Sequence, residues 1–400
     1  MKIALVYDAL YPFTKGGAEK RYHELAGRLA DRHEVHFISW QHWQGAPRIQ
    51  IGNVSYHGVG RPLAFYGKDG KRRISEAIGF AGHLLKAFPR ERFDVIDCSI
   101  FPYFPVYACH LISRSRRIPL VITWHEFWGD YWPRYLGWPG HLARNIELLA
   151  TGLGDMGVAV SQFTSNRVVR LGLKNRPIEV VPNGIEYQEI RSIPPQGEES
   201  DVIYMGRLIE HKNVSTLLES LRLLVRQLPR LRCFIVGDGP DREKLGAYSS
   251  ALGLDSNVTF CGFIPSQQDL FALMKRSKVF VFPSTREGFG RSVMEAQACG
   301  LPAVVVDAPD SASPSLIRDG GNGLVCPNDA PSLAAALGDL LGNPSRREKM
   351  AEQALVEAAR YDWSNVVERI EGVYRQVVHS RNGNGLSEKA LRTDQLGQQG

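Results

Sequence analysis

The sequence predicts an α/β protein of two domains, each a parallel β-sheet with helices on both faces. Three observations carry that expectation. The chain has 400 residues, more than one ordinary hydrophobic core accommodates. Short runs rich in Val, Ile and Phe recur ahead of glycine-bearing turns, and stretches of helical periodicity follow them. Residues 187–200, with Pro194–Pro195–Gln196–Gly197 and an acidic trio, split this alternation into two series and read as a linker.

Composition narrows the class. Apolar residues make up 44% and charged residues 22% of the chain, the balance of a soluble globular protein. The opening MKIALVYDAL has one lysine and an apolar run broken by Asp8, so it reads as a first strand and not as a signal peptide. No run reaches the length of a membrane span, and a cytoplasmic protein is expected. Six cysteines, at 98, 109, 233, 261, 299 and 326, are scattered without a CxxC pair, so reduced thiols and no metal site are expected. The net charge of +6 is uneven: residues 1–190 carry 24 Lys and Arg against 17 Asp and Glu, the remainder 24 against 25. Six of the seven tryptophans also lie in that first half. No recognition motif accompanies the basic half, so nucleic acid is not expected, whereas an anionic lipid surface or an acidic glycan fits.

In chain order, a strand Ile3–Tyr7 runs through a loop to Gly16–Gly17 and a helix over 18–30, with a second strand at Val35–Ser39. This opening suits a nucleotide-binding half, but it lacks G-x-G-x-x-G, so NAD is disfavoured. Residues 61–92 are the most basic stretch, with Lys68, Lys71, Arg72 and Arg73 ahead of Ile78, Phe80, Leu84, Leu85 and Phe88, then Arg90 and Arg92. That pattern suits an interfacial contact or a solvated loop before an ordinary packed helix; both readings stay open. Strands at Asp94–Ile100 and Pro119–Thr123 follow, the second ending in TWHEFWGDYW. Ligands are expected at the carboxyl ends of such strands, which singles out His125 and Glu126. The aromatics Trp124, Phe127, Trp128, Tyr131 and Trp132 stack on an acceptor or fill the core. Val158–Ser161 and VVPNGIE at 180–186 close the first domain, 1–186.

The second domain, 187–362, opens with Val202–Tyr204, Gly206, Arg207 and Lys212, ahead of a helix starting at Val214. Two cations between a strand and a helix N-terminus suit a pyrophosphate. Phe234–Val236 with Gly237 and Val258–Phe260 with Phe263–Ile264 repeat the strand-and-loop pattern. Then comes VFVFPSTREGFGRSVMEAQACGLP, residues 279–302. A buried-strand run leads through a glycine loop to a helix that ends at Gly300, with Pro302 beyond. Glu287 sits on the loop and Glu295 about one turn into the helix, so the two carboxylates can face one pocket and accept hydrogen bonds from sugar or ribose hydroxyls, or can be a solvated loop charge and a helix-face charge. A strand at Pro302–Val306 and helices over 331–341 and 345–360 complete the domain, a helix over 363–379 finishes the fold, and the polar tail 381–400 is expected to be disordered.

The string EGFGRSVMEAQACGLP, together with MGRLIEHKN, VVPNGIE and the Gly16–Gly17 turn, resembles the signature set of the retaining nucleotide-sugar glycosyltransferases of family 4. The matching landmarks run from Gly16 to Gly323, about four-fifths of the chain. The resemblance implies a GT-B fold: two Rossmann-like domains facing a cleft, with the last helix (363–380) crossing back onto the first domain. It implies that the donor is a UDP- or GDP-sugar. Its diphosphate would be held by Arg207, Lys212, the amides of Gly16 and Gly17 and the loop near Phe289, Gly290 and Arg291, with Gly206 and Gly237 at neighbouring turns. Phe263 and Ile264 would meet the base, Glu295 the ribose, Glu287 the sugar, and His125 would line the sugar pocket. Glu126, Trp128 and Tyr131 would face the acceptor, a lipid-linked or cell-surface glycan at an anionic membrane face. No D-x-D triplet occurs, so fixed cations are expected in place of a divalent metal, with no cofactor. Ser315 stands where relatives usually have a glutamate, a departure that bears on donor-sugar selectivity. A phosphorylase of the same fold, an antibiotic-type small-molecule glycosyltransferase and a non-catalytic scaffold are the alternatives. The intact Glu287, Glu295, Arg207 and Lys212 set speaks against the last.

Overall fold

The computed structural model describes residues 1–14, 16–67, 72–172 and 176–382. Lys68, Lys71 and the tail 383–400 lie outside the described residues.

The first half forms an eight-stranded sheet from β1 (Lys2–Val6), β2 (Glu34–Ser39), β3 (Arg48–Ile51), β4 (Val54–Gly58), β5 (Val95–Ser99), β6 (Leu120–Trp124), β7 (Met156–Ala159) and β8 (Ile178–Val180). Their order is β3-β4-β2-β1-β5-β6-β7-β8. Every pairing is parallel except the β3–β4 hairpin. That hairpin is absent from the sequence expectations, because β3 lies exposed at the sheet edge and its polar pattern resembles a loop. The second half supplies β9 (Ser200–Met205), β10 (Cys233–Val236), β11 (Val258–Gly262), β12 (Ser277–Phe282), β13 (Arg286–Glu287), β14 (Ala303–Asp307), β15 (Asp310–Ser311) and β16 (Gly323–Pro327). Six of these form an all-parallel sheet ordered β11-β10-β9-β12-β14-β16, and β13 pairs with β15 alone. Central strands such as β12 and β14 are buried on both faces, which is why they read as unbroken apolar runs. The chain is α/β with parallel sheets in two halves, as the sequence predicts.

Both sheets reverse strand order, between β1 and β5 and between β9 and β12. Ligand crevices form outside the carboxyl ends of strands at such reversals. The loops leaving β1, β9 and β12 carry Gly16–Gly17, Lys212 and Glu287, so the topology alone collects them.

Two features depart from expectation. The segment read as a linker holds a helix, Tyr187–Ser192, with Ile190 and Ile193 buried in the second core; its proline and acid content masked two apolar anchors. The final helix runs Trp363–Asn382 and therefore takes in Arg381 and Asn382, where a disordered tail was expected. Arg381 Nη1 pairs with Asp155 Oδ2 at 3.0 Å. Along this helix Trp363, Val366, Val367, Ile370, Val373, Tyr374 and Val377 form one stripe, and that stripe is part of the first domain's core.

Candidate active site

The cleft between the two sheets holds a cavity of about 380 Å³. Gly16, Gly17 and Lys20 line it from the first domain; Lys212, Gln267, Phe282, Glu287, Arg291, Ser292 and Glu295 line it from the second. Two helices begin there, Gly17–Leu29 and Arg291–Ala298. Their first-turn N–H groups lack intrahelical partners and favour an anion. Gly290, with φ of +99°, is the N-cap of the second helix, a left-handed conformation that favours glycine.

The charges interlock. Lys212 Nζ is paired with Glu287 Oε1 and lies 5.0 Å from the Phe282 ring centre. Arg291 Nε meets Glu295 Oε1 at 2.9 Å, one helical turn away. Lys20 Nζ donates to Gln267 Oε1 at 3.1 Å across the cleft. Burial, with the charge of Arg291 second, pulls the Lys20 pKa below its usual value. Three cations against two carboxylates leave the cavity positive, the sign a diphosphate needs.

The sequence-derived candidates fall in several places. Gly16, Gly17, Lys212, Glu287, Arg291 and Glu295 come together in the cavity. Gly206 and Gly237 serve backbone packing: a Cβ on Gly237 would lie 1.9 Å from the Gly206 carbonyl oxygen, and one on Gly206 would lie 2.6 Å from the Tyr204 hydroxyl. The Phe289 side chain is buried against Tyr361, ring centres 5.7 Å apart, so only its backbone is left to meet a ligand. Gly290 sits beside Ser313 and Leu316. Arg207 is exposed after β9, Phe263 is 61% exposed after β11, and Ile264 packs at the edge of the core; none of the three lines the cavity.

His125 is half-buried just past the end of β6, between Tyr7 and Tyr22 with ring centres 6.5 and 5.9 Å away. Burial, then the charge of Arg21, pushes its pKa down to about 3. The imidazole is therefore neutral at ordinary pH, and its Nε2 has no hydrogen-bond partner among the described residues. Its carbonyl faces the Glu287 loop, where a Cβ on Gly288 would lie 2.0 Å from it. Glu126, Trp128 and Tyr131, expected to face an acceptor, instead surround Arg286. Nε of that arginine reaches Glu126 at 2.6 Å, and its guanidinium stands 4.0 and 3.7 Å from the two ring centres. Trp124 is core, 2% exposed.

Sequence reading missed Lys20, Gln267, Ser292 and Arg286. A signal existed for Lys20, a first-turn lysine three residues beyond Gly17; the others depend on how the domains meet. Among the described residues one trio could gather a cation: His36, His57 and Glu91. Its carboxylate is already paired with Lys2 and, at 2.8 Å, with Arg48.

Two family models match the chain: "Glycosyltransferase Family 4" over residues 15–189 and "Glycosyl transferases group 1" over residues 186–356. An α-D-kanosaminyltransferase of Streptomyces kanamyceticus is 33% identical over 291 residues, covering 67% of this chain and 73% of that protein. The chain belongs to the group 1 glycosyltransferases. A second relative of this glycosyltransferase spans nearly its whole length. It is the GDP-mannose:cellobiosyl-diphosphopolyprenol α-mannosyltransferase of Xanthomonas campestris, 28% identical over 98% of this chain and 100% of that one. Among solved structures, sucrose-phosphate synthase from Thermosynechococcus elongatus superposes with a TM-score of 0.78 at 19% identity, over 94% of this chain and 99% of that one. The group 1 glycosyltransferase thus has the GT-B fold that its sequence signature implies.

Proposed function

We propose that this glycosyltransferase moves a hexose-type sugar, with retention and without a metal, from a UDP- or GDP-sugar to a hydroxyl of a lipid-linked or cell-surface glycan. One observation carries the reading: two helix N-termini, three cations and two carboxylates from both domains meet in one cleft cavity. Lys212, Lys20, Arg291 and the Gly16–Gly17 amides would hold the diphosphate and stabilise the charge that grows on it as the glycosidic bond breaks. Fixed cations then do the work of a divalent metal. Glu295 would take the ribose hydroxyls and Glu287 a sugar hydroxyl, with the neutral His125 close by. Arg207 and the Phe263–Ile264 loop, outside the cavity lining, would reach the donor's diphosphate and base from its rim. Attack by the acceptor on the face the diphosphate leaves, its proton passing to a departing phosphate oxygen, gives retention with no covalent enzyme intermediate.

The relative matched along nearly the whole chain carries GDP-mannose and a diphosphopolyprenol in its name, so GDP-mannose is the first donor to test. A membrane-bound acceptor also suits the helix Ile74–Ala87. Ile74, Ile78 and Leu85 are each more than half exposed there, beside Arg73 and Lys86, as in helices that rest on anionic bilayers. A kanosamine-type transfer to a small molecule is the second reading, favoured by the 33% identical relative.

Calorimetric titration of UDP, GDP, ADP and inorganic phosphate, with and without EDTA, tests the donor assignment on the native chain and on Glu295→Ala and Lys212→Met. One diphosphate binding regardless of EDTA, and weakened by both substitutions, is the expected result. Binding of phosphate alone would replace the transferase reading with phosphorolysis.

A further inference from the structure

We infer that Arg286 is a positioning residue: it docks in a socket on the first domain and thereby sets its neighbour Glu287 in the cleft. This rests on the reading of Glu287 as the carboxylate that holds the donor sugar.

The socket is held by first-domain contacts that do not involve the arginine. Glu147 is fully buried and accepts from Trp128 N at 2.7 Å, Gly129 N at 2.6 Å, Trp132 Nε1 at 3.2 Å and Tyr103 OH at 2.6 Å. It thereby fixes the turn that follows β6. Trp128 in turn donates its Nε1 to Glu126 Oε2 at 3.0 Å, leaving Oε1 for Arg286 Nε at 2.6 Å. The guanidinium fills the remaining space between the Trp128 and Tyr131 rings. A planar, permanently charged fork suits one carboxylate oxygen and two aromatic faces at once; an ammonium would keep the charge and lose the stack.

The first domain grips the loop again two residues on. Gly288 O accepts from Ser161 Oγ at 2.6 Å and from Thr164 Oγ1 at 3.2 Å, while its α-carbon lies against the His125 carbonyl. Glu287 is therefore held on both sides by the first domain, at 286 and at 288. The second domain holds it from behind, through Ala312 N to Glu287 O at 2.8 Å. Lys212, which also pairs with the Glu287 carboxylate, stands with Arg291 and Glu295 on second-domain elements, and Lys20 with the Gly16–Gly17 amides stands on the first-domain loop and helix after β1, outside the socket. The groups for diphosphate and ribose thus exist without the socket, whereas the placement of Glu287 depends on it. Nucleotide binding and sugar positioning are separable, and Arg286 belongs to the second.

The test uses the full chain and the variants Arg286→Met, Arg286→Lys, Glu126→Gln and the Met/Gln double. Calorimetry with GDP and UDP gives diphosphate affinity; release of diphosphate from GDP-mannose and UDP-glucose gives kcat and KM. Diphosphate Kd is expected within about twofold of the native chain, because the backbone anchors of Lys212, Arg291, Lys20 and the Gly16–Gly17 amides lie outside the socket. We expect kcat to fall roughly 10- to 100-fold in Arg286→Met, the scale of a small misplacement of a reacting group. Arg286→Lys should recover less than half of that loss, and the double variant should be no worse than the single ones. Unchanged kcat, a parallel loss of diphosphate affinity, or multiplying effects in the double variant would each overturn the inference. A native chain that binds neither diphosphate would instead remove the donor reading beneath it. Thermal melts separate unfolding from mispositioning, and a folded Arg286→Lys with native kcat also overturns the inference.

Discussion

The Tyr374 hydroxyl donates to Asp97 Oδ2 at 2.6 Å, tying the last helix to β5 across 277 residues of chain. Asp97 is 1% exposed and also accepts from Tyr22 and Thr123, each at 2.8 Å. Three hydroxyl donors offset the burial of that carboxylate. Removing one should cost about 1.5–3 kcal/mol. Tyr374→Phe is expected to lower the unfolding free energy of the first domain, read from its urea transition, by that amount, leaving diphosphate affinity unchanged.

Lys212 holds Glu287 and faces the site of the diphosphate. Lys212→Met should weaken diphosphate binding by about 2–3 kcal/mol, a factor of roughly 30 to 150. Glu295→Gln should weaken it less, because the neutral amide still accepts from a ribose hydroxyl. Calorimetry on the two variants gives the order.

Gly288→Ala would bring a methyl group to 2.0 Å from the His125 carbonyl oxygen, a backbone atom that no side-chain rotation can move aside. The loop must lift from β6, and the domains part with it. A larger radius of gyration in solution scattering is expected, with turnover down roughly 100-fold and a melting temperature close to native.

His125 has a pKa of about 3 in the folded chain against an ordinary 6.5. Below 6.5 the unfolded histidine takes up a proton and the folded one does not. Its contribution to stability is therefore complete above pH 6.5 and is lost as pH falls toward 3, by up to about 1.4 kcal/mol per pH unit. His125→Asn should flatten this part of the acid limb. Urea midpoints of both proteins at pH 7 and pH 5 check the sign: the native chain's advantage must shrink at pH 5.

Ile78→Glu with Leu85→Glu puts two carboxylates on the exposed face of the helix Ile74–Ala87. Flotation with vesicles containing phosphatidylserine should fall several-fold, since each change removes apolar contact and adds repulsion from the anionic surface. Equal flotation would remove the membrane face from the proposed function.

The strands and the second-domain half of the site were legible for one reason. Parallel strands buried on both faces write themselves as apolar runs, and Lys212, Glu287 and Glu295 sit at fixed short distances from such runs. Side chains that act between domains left no such mark. Trp128 and Tyr131 read as an open aromatic platform, because nothing near them in sequence announces that Arg286, over 150 residues on, will lie between them. Arg72 read as surface charge within the basic stretch; folded, it is paired with Asp8 and, at 3.1 Å, with Glu76, both fully buried. Composition counts charges, and only the fold pairs them.

The apolar stripe of the last helix completes a core whose own strands end at Val180. During synthesis some 180 residues separate that strand from Trp363. At about 5–20 residues per second the ribosome needs roughly 10 to 40 seconds to cross the interval. Through that time the nascent first domain has its sheet but an uncovered apolar groove, as chaperones recognise. A premature stop between Val180 and Trp363 would freeze it so, with every strand of the first sheet already made.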